Sequence, residues 1–455
     1  MRDTVHKFLS LFIGLCFGLL LIKSGNPANL DPLLQDDRLF NVISREALSS
    51  DQASTHNHQE QEGLFDRLIA PWRLSSSIFL LVIILAAGVG FVGFRWDRSL
   101  WIVAGFGVWY LWQHLAAFDS IDSSLSTLVL WHFSGCLACL CLGCFVLSRC
   151  PRFELFWIGP ILGMLIIFWV GLQQHYGGLD ALRRMIYETT DYTKLPPELL
   201  KRLAKGRIYA TFVYPNALAG AILLLLVPCL FYIWQLIDGL PRVIKAVIAG
   251  VFAYTGLACL VWSGSKAGWL ILLILSFVAI MHLPVPKRIK NISIPILLIL
   301  GLLGFGMKYR QYFALGATSV SARVDYWRAA IKIFRANPFT GTGPGTFAKS
   351  YPQYKSPESE MARLTHNDYL EQACDSGAIG FLSYFGSVAG GLAFLYRKSR
   401  PLDWHFFVVW LGLGAWFIQG FVEFGLYIPA LAWTAFLLFG WMIGHEKSNV
   451  IVELK

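Results

Sequence analysis

Charge is what this chain has least of. Asp, Glu, Lys and Arg supply only 15% of its 455 residues, against about a quarter in ordinary soluble domains, and that deficit excludes a conventional water-soluble globular protein. A phosphate loop is also missing. The glycine-rich turn Gly341-Thr342-Gly343-Pro344-Gly345 follows no strand and precedes no Gly-Lys-Ser/Thr, so no nucleotide loop is expected there. Nine cysteines are present, yet none forms a metal-binding pattern. Cys136, Cys139, Cys141 and Cys144 lie inside an apolar run, the two pairs separated by one residue rather than by the dozen or more of a zinc ribbon. They read as small packing residues of a membrane helix; no disulfide framework can be read and no metal or cofactor is expected. The acidic pair Asp36-Asp37 reads as solvated.

Apolar sequence fills the space that charge leaves. The chain is 56% hydrophobic with 17 tryptophans, and its mean hydropathy is +0.56. These figures describe an all-α polytopic membrane protein. The surplus of 38 Lys plus Arg over 28 Asp plus Glu does not point to nucleic acid, because in a membrane protein the placement of basic residues matters more than their sum.

A first apolar run, Phe8 to Ile22, follows Arg2 and Lys7 and lacks a clear small-x-small cleavage site, which favours an uncleaved helix over a signal peptide. Residues 1–77 then make a unit of that helix and a polar external loop whose Leu48 to Gly63 stretch is rich in Ser, Gln, His and Glu. Further spans are expected at Ile78–Phe94, Leu100–Ala117, Leu128–Leu147, Leu155–Leu172, Tyr209–Trp234, Ala246–Trp262, Ala267–Leu283 and Ile292–Met307, closing a unit of residues 78–307. Residues 308–377 form a large external loop between the ninth and tenth spans, and residues 378–455 hold Ala378–Leu395, Phe406–Phe421, Leu426–Ile443 and a tail. Together these make about twelve spans.

Basic residues set the orientation. With the N-terminus cytoplasmic, the short inside connections carry Arg95, Arg98, Arg149, Arg152, Arg242, Lys245, Lys287, Arg288, Lys290, Arg397, Lys398 and Arg400, while the short outside turn Phe118–Leu125 carries Asp119 and Asp122. The Ser263-Gly264-Ser265-Lys266 turn fits this pattern least well, being external and basic. Two long outside loops, Gln173–Ile208 and Lys308–Gly377, are rich in Lys and Arg. Long loops are partly exempt from the charge rule, and their basicity implies an anionic partner at the outer face. Within the larger loop, Ser321–Arg335 has the helical period, with Val324, Trp327, Ile331 and Phe334 as an apolar stripe and Arg328, Lys332 and Arg335 as a basic one.

The polar stretch Leu364-Thr365-His366-Asn367-Asp368-Tyr369-Leu370-Glu371 stands out among these runs. Thr365 with Asp368 three residues later reads as a helix N-terminal cap, which would put His366 and Asn367 in the first turn, where the helix end favours a neutral imidazole able to accept a proton.

Several pieces then resemble one family. Arg207 ahead of Tyr214-Pro215-Asn216, the Ser263–Gly268 turn with Lys266, Arg323 with Trp327, Gly341-x-Gly343-x-Gly345, and His366-Asn367-x-x-Leu370 together look like the O-antigen ligase and polymerase superfamily, over roughly Arg207 to Gly380. The resemblance implies a membrane glycosyltransferase of the GT-C type in the cell inner membrane, its site facing the periplasm. Such an enzyme takes a polyprenyl-diphosphate-linked glycan as donor and a lipid or glycan acceptor, without metal. It implies His366 as catalytic base and Arg207, Lys266 and Arg323 on the donor diphosphate, with Asn216, Trp327 and Asn367 in support. Lys266 stands where the family carries arginine, and lysine keeps the charge but loses the bidentate fork. Transfer to lipid A core, polymerisation of repeat units, and transfer to a protein hydroxyl all remain open. A secondary transporter is the alternative of another class; it is disfavoured because the middles of the spans are nearly free of charge and no internal repeat is visible.

Overall fold

A backbone in lipid must satisfy its own hydrogen bonds, which leaves long apolar runs little choice but the helix. The structure, a computed structural model, describes residues 2–28, 81, 99–181, 183–184, 206–212, 214–314, 318–398 and 403–453; among them are helices and no strand. In chain order they are α1 (Arg2–Lys23), α2 (Leu100–Phe118), α3 (Ser123–Phe145), α4 (Ile158–Gln173), α5 (Pro215–Leu236), α6 (Arg242–Trp262), α7 (Lys266–His282) and α8 (Lys287–Ala314). Then follow α9 (Thr318–Ala336), α10 (Phe347–Tyr354), α11 (Asp368–Phe385), α12 (Gly391–Lys398), α13 (Trp404–Gln419) and α14 (Pro429–Glu453).

Among the described residues, seven helical stretches are long and apolar enough to cross a membrane: His6–Lys23, Ser123–Arg149, Phe153–Ala181, Pro215–Leu236, Arg242–Trp262, Lys287–Ala314 and Asp368–Arg397. Lys266–His282, Trp404–Gln419 and Pro429–His445 are shorter apolar helices. The expected span Ile78–Phe94 apart from residue 81, the Asp36-Asp37 pair and most of the N-terminal polar loop lie outside the described residues. The other expected spans each overlap a helix, with boundaries that shift where local chemistry intervenes.

The sixth expected span is one such case. Its helix starts at Pro215, a residue suited to the first helical position because it has no N–H to satisfy. Tyr209 and Ala210 instead lie in a turn, with Ala210 at φ +52, held by the Gln174 side chain, whose Oε1 accepts from both backbone N–H groups at 2.9 and 2.8 Å. The tenth span also departs from expectation. Its helix begins at Asp368, inside the expected loop, and breaks at Gly377.

Small residues allow the closest approaches in the bundle. Gly14 and Gly18 of α1 pack on Gly159 and Gly163 of α4, so that a methyl group added to Gly159 would lie 1.8 Å from the Gly14 carbonyl oxygen. The most extensive helix pair is α3 with α14. Cys136, Cys139 and Cys144 of α3 are buried and Cys141 is half-buried. By contrast α8 is peripheral, with Ile299, Leu300, Leu303 and Met307 exposed to what is lipid in a membrane.

Helices α9, α10 and the start of α11 form a second, smaller core of Tyr326, Ala329, Ala330, Ile333, Phe347, Tyr351, Ala362 and Cys374. The buried stripe of α9 is therefore 326/329/330/333, not the expected Val324, Trp327, Ile331 and Phe334; Ile331 is 39% exposed. The expected stripe gave small Ala329 and Ala330 no weight, yet they are what lets α9 lie close to its neighbours. Arg328, Lys332 and Arg335 are exposed as expected. The glycine-rich turn docks this unit on α11: Thr342 and Gly343 donate backbone N–H groups to the Cys374 and Asp375 carbonyls at 3.0 and 2.9 Å. Gly345 N–H donates to Asp375 Oδ2 at 2.6 Å.

Candidate functional site

Glu423, in the short turn between α13 and α14, is the residue around which the other polar side chains assemble. It is 5% exposed, a position tolerable for a carboxylate only when cations and hydrogen-bond donors surround it. Its Oε1 accepts from the Arg323 guanidinium of α9 and from Asn216 Nδ2 at 2.6 Å. Its Oε2 faces His366 Nδ1 at 3.3 Å. Asn216 in turn accepts from Arg207 Nη2 at 2.8 Å through Oδ1, and its backbone carbonyl takes a bond from Gln419 Nε2 at 2.9 Å. Three sequence-expected residues, Asn216, Arg323 and His366, thus meet at one carboxylate, and Arg207 is linked to it through Asn216.

Each reaches the site for a local reason. Asn216 follows Pro215 at the start of α5, so its side chain projects from a helix end rather than from the packed middle. Arg207 lies in the non-helical segment before that helix, and its Nε donates to the Ser263 carbonyl at 2.6 Å. Gly264 has φ +63, in the left-handed region that glycine adopts freely, and it keeps clear the space that the Arg207 side chain fills. Arg323 projects from the first half of α9.

His366 corrects an expectation. The cap of α11 is Asn367, not Thr365: Asn367 Oδ1 accepts from the Tyr369 and Leu370 N–H groups, both at 3.0 Å. Asn is among the strongest N-cap residues, whereas Thr365 spends its hydroxyl on the Asn367 carbonyl at 2.8 Å. His366 therefore precedes the helix, and the argument for a neutral ring from the helix end falls. It has φ +53, unusual for a residue with a side chain. The ring lies between Tyr326, stacked at 6.0 Å, and Phe424, edge-on at 4.8 Å.

Lys266 sits at the first position of α7 with Nζ 3.8 Å from the Tyr312 ring centre and 5.3 Å from that of Tyr309. Tyr309 also interacts electrostatically with Arg207, which links Lys266 to the cluster's edge rather than to its centre. Trp327 is half-buried against the smaller core and touches none of these groups through a polar contact; its indole N–H has no partner among the described residues. Asn367 acts on the site by capping.

Burial is the largest influence on Glu423 and pushes its carboxyl up, but Arg323, His366 and Arg207 together overcome it and hold the group below its ordinary value. Burial pulls the Arg207 guanidinium down while Glu423 opposes. Two guanidiniums against one carboxylate leave surplus positive charge, and Arg323 Nε is buried without a partner among the described residues. Such a site suits a multiply charged anion. A small cavity beside it is lined by Asn216, Gln419, Glu423, Phe424 and Gly425.

Helices of bilayer length define a multi-pass membrane protein, and the buried cluster of Arg207, Asn216, Arg323, His366 and Glu423 lies at their ends. Residues 251–385 match the family model described as O-Antigen ligase, which supports the resemblance to the O-antigen ligase superfamily and ligase- or polymerase-type activity. No curated protein matches the chain. Lys266, Arg323, Trp327, His366 and Asn367 fall within the matched residues; Arg207, Asn216 and Glu423 lie outside them.

Glu423 is the residue that reading the sequence missed. A signal existed: Gly420-Phe421-Val422-Glu423-Phe424-Gly425 places one acid between two apolar runs, where an ionisable group is costly unless it has a task.

Proposed function

We propose that this protein is an O-antigen ligase-like glycosyltransferase of the inner membrane that moves a glycan from a polyprenyl-diphosphate donor to a hydroxyl acceptor at the periplasmic face. The observation that carries this reading is the convergence of Arg207, Arg323 and His366 on Glu423, beside a domain that matches O-antigen ligases. The basic connections Arg149–Arg152, Arg242–Lys245, Lys287–Lys290 and Arg397–Arg400 support a cytoplasmic N-terminus and hence a periplasmic site.

The chemistry follows from the charges. The donor diphosphate binds Arg207 and Arg323, with Lys266 at its edge, and these cations offset the negative charge that grows as the sugar C1–O bond to the diphosphate breaks. His366 takes the proton from the acceptor hydroxyl as its oxygen bonds to C1. Polyprenyl diphosphate leaves, and the histidine returns its proton to water. Side-chain cations carry the whole electrostatic load in this scheme, so no metal is called for.

A polymerase would use the same groups with a growing glycan as acceptor; ligation is the first reading because the matched family model is described as a ligase. The test is deletion of the gene in its host. Loss of a ligase leaves long polyprenyl-linked chains, loss of a polymerase leaves single repeats, and unchanged surface polysaccharide and lipid-linked intermediates would contradict both.

A further inference from the structure

We infer that Glu423 is a positioning residue for this reaction, fixing His366 with its ring proton on Nδ1 so that Nε2 is the atom left to take the acceptor proton. The inference rests on the reading of His366 as the base, and nothing in the matched residues points to it, since Glu423 lies beyond them.

Glu423 is a buried carboxylate. Ionised, it only accepts. One oxygen of Glu423 is already occupied by Arg323 and by Asn216 Nδ2 at 2.6 Å. The other faces His366 Nδ1 at 3.3 Å, and that contact is a hydrogen bond only when the hydrogen sits on Nδ1. Deprotonated Nδ1 would set a lone pair against a buried carboxylate. The histidine cannot turn away cheaply, because Tyr326 and Phe424 bracket the ring and its backbone holds φ +53. Nor can Glu423 follow it freely, being held by Arg323 and Asn216 and through Asn216 by Arg207.

The proton path balances without protonating the carboxylate. Nε2 takes the acceptor proton while Nδ1–H keeps donating to Glu423 Oε2, so the imidazolium forms next to a fixed negative charge and discharges through Nε2 after the product leaves. In the resting state the same carboxylate offsets the Arg323 charge. Arriving diphosphate competes for that arginine.

The test reads the tautomer without any substrate. Protein labelled with 15N-histidine in nanodiscs, with the His366 signals found by difference from His366→Ala, should show the Nδ1–H form in the wild type, with that preference weakened in Glu423→Gln and retained in Glu423→Asp. Kinetically, Glu423→Gln should lower kcat on the order of a hundredfold without raising the donor KM. Combined with His366→Gln it should cost nothing further. An Nε2–H wild-type tautomer, a penalty that multiplies with that of His366→Gln, or a loss confined to KM overturns the inference. Wild-type protein that holds Nδ1–H yet transfers nothing overturns the functional reading instead.

Discussion

A methyl group on Gly264 would lie 3.1 Å from Nε of Arg207, so the turn between α6 and α7 is shaped around the arginine side chain that crosses it. Gly264→Ala sets two costs together: a left-handed backbone that alanine disfavours by about 1 kcal/mol or more, and displacement of Arg207 from the Ser263 carbonyl. Donor KM should rise roughly tenfold, the effect of about 1.4 kcal/mol in binding, with a modest fall in thermal stability. Unchanged KM would mean that Arg207 does not hold the donor from its present position.

Arg323 and Glu423 are more demanding. Arg323→Ala leaves a buried carboxylate without its main cation, which should cost on the order of 3 kcal/mol of stability as well as transfer. Adding Glu423→Gln should restore part of the stability but not the activity. Arg323→Lys should recover some transfer, because charge survives and the fork does not. Thermal unfolding and turnover on the same preparations separate the two effects; full activity in Arg323→Ala would reduce the arginine to an anchor.

Acid sensitivity follows from the depressed Glu423 carboxyl. Its folded pKa lies below the reference value of 4.5, so the unfolded chain binds the proton more readily. The stability that Glu423 contributes is complete above that reference value and is lost as pH falls through the lower folded value. Unfolding scans from neutral pH into the acid range should stay level down to that reference value and drop as pH falls below it, and Glu423→Gln should flatten that drop. A drop near neutral pH that disappears in Glu423→Gln would contradict the assignment.

How far the sequence foretold this site depends on which force decides each residue. Apolar run length decides where helices form, and α2, α3, α4, α6, α7 and α13 lie within a few residues of the runs. His366 was legible because it sits in a polar stretch between apolar runs, whereas Arg207 and Arg323 came from the resemblance to the O-antigen ligase and polymerase superfamily. The cap at Asn367 was misassigned because two competent capping residues stand two apart and only geometry chooses between them. The start of α5 was set by a contact with Gln174, far off in the sequence. Glu423 was passed over although it is the one acid between two apolar runs: its partners come from α5, from α9 and from the segment before α11, and only the fold brings them to it.

Orientation in the membrane is open to direct labelling. Single cysteines at the Lys349 and Lys355 positions should react with impermeant reagents from the periplasm, and cysteines at Arg288 and Lys398 should not. Lys349 lies 3.3 Å from Asp122 in the turn between α2 and α3, which the charge pattern also places outside. Reaction of the Lys349 position only after the inner membrane is opened would place the site on the wrong side for a periplasmic acceptor.

The claim that His366 removes the acceptor proton at a site run by side-chain cations meets its sharpest test in a purified assay. Wild-type protein and His366→Gln are placed in nanodiscs with a polyprenyl-diphosphate glycan, a hydroxyl acceptor and a chelator, with no ion gradient, and release of polyprenyl diphosphate is followed. The wild type should turn over undiminished by the chelator, and His366→Gln should fall by a hundred- to ten-thousandfold, the range expected for loss of a general base, while still binding donor. A His366→Gln rate close to wild type would contradict the account.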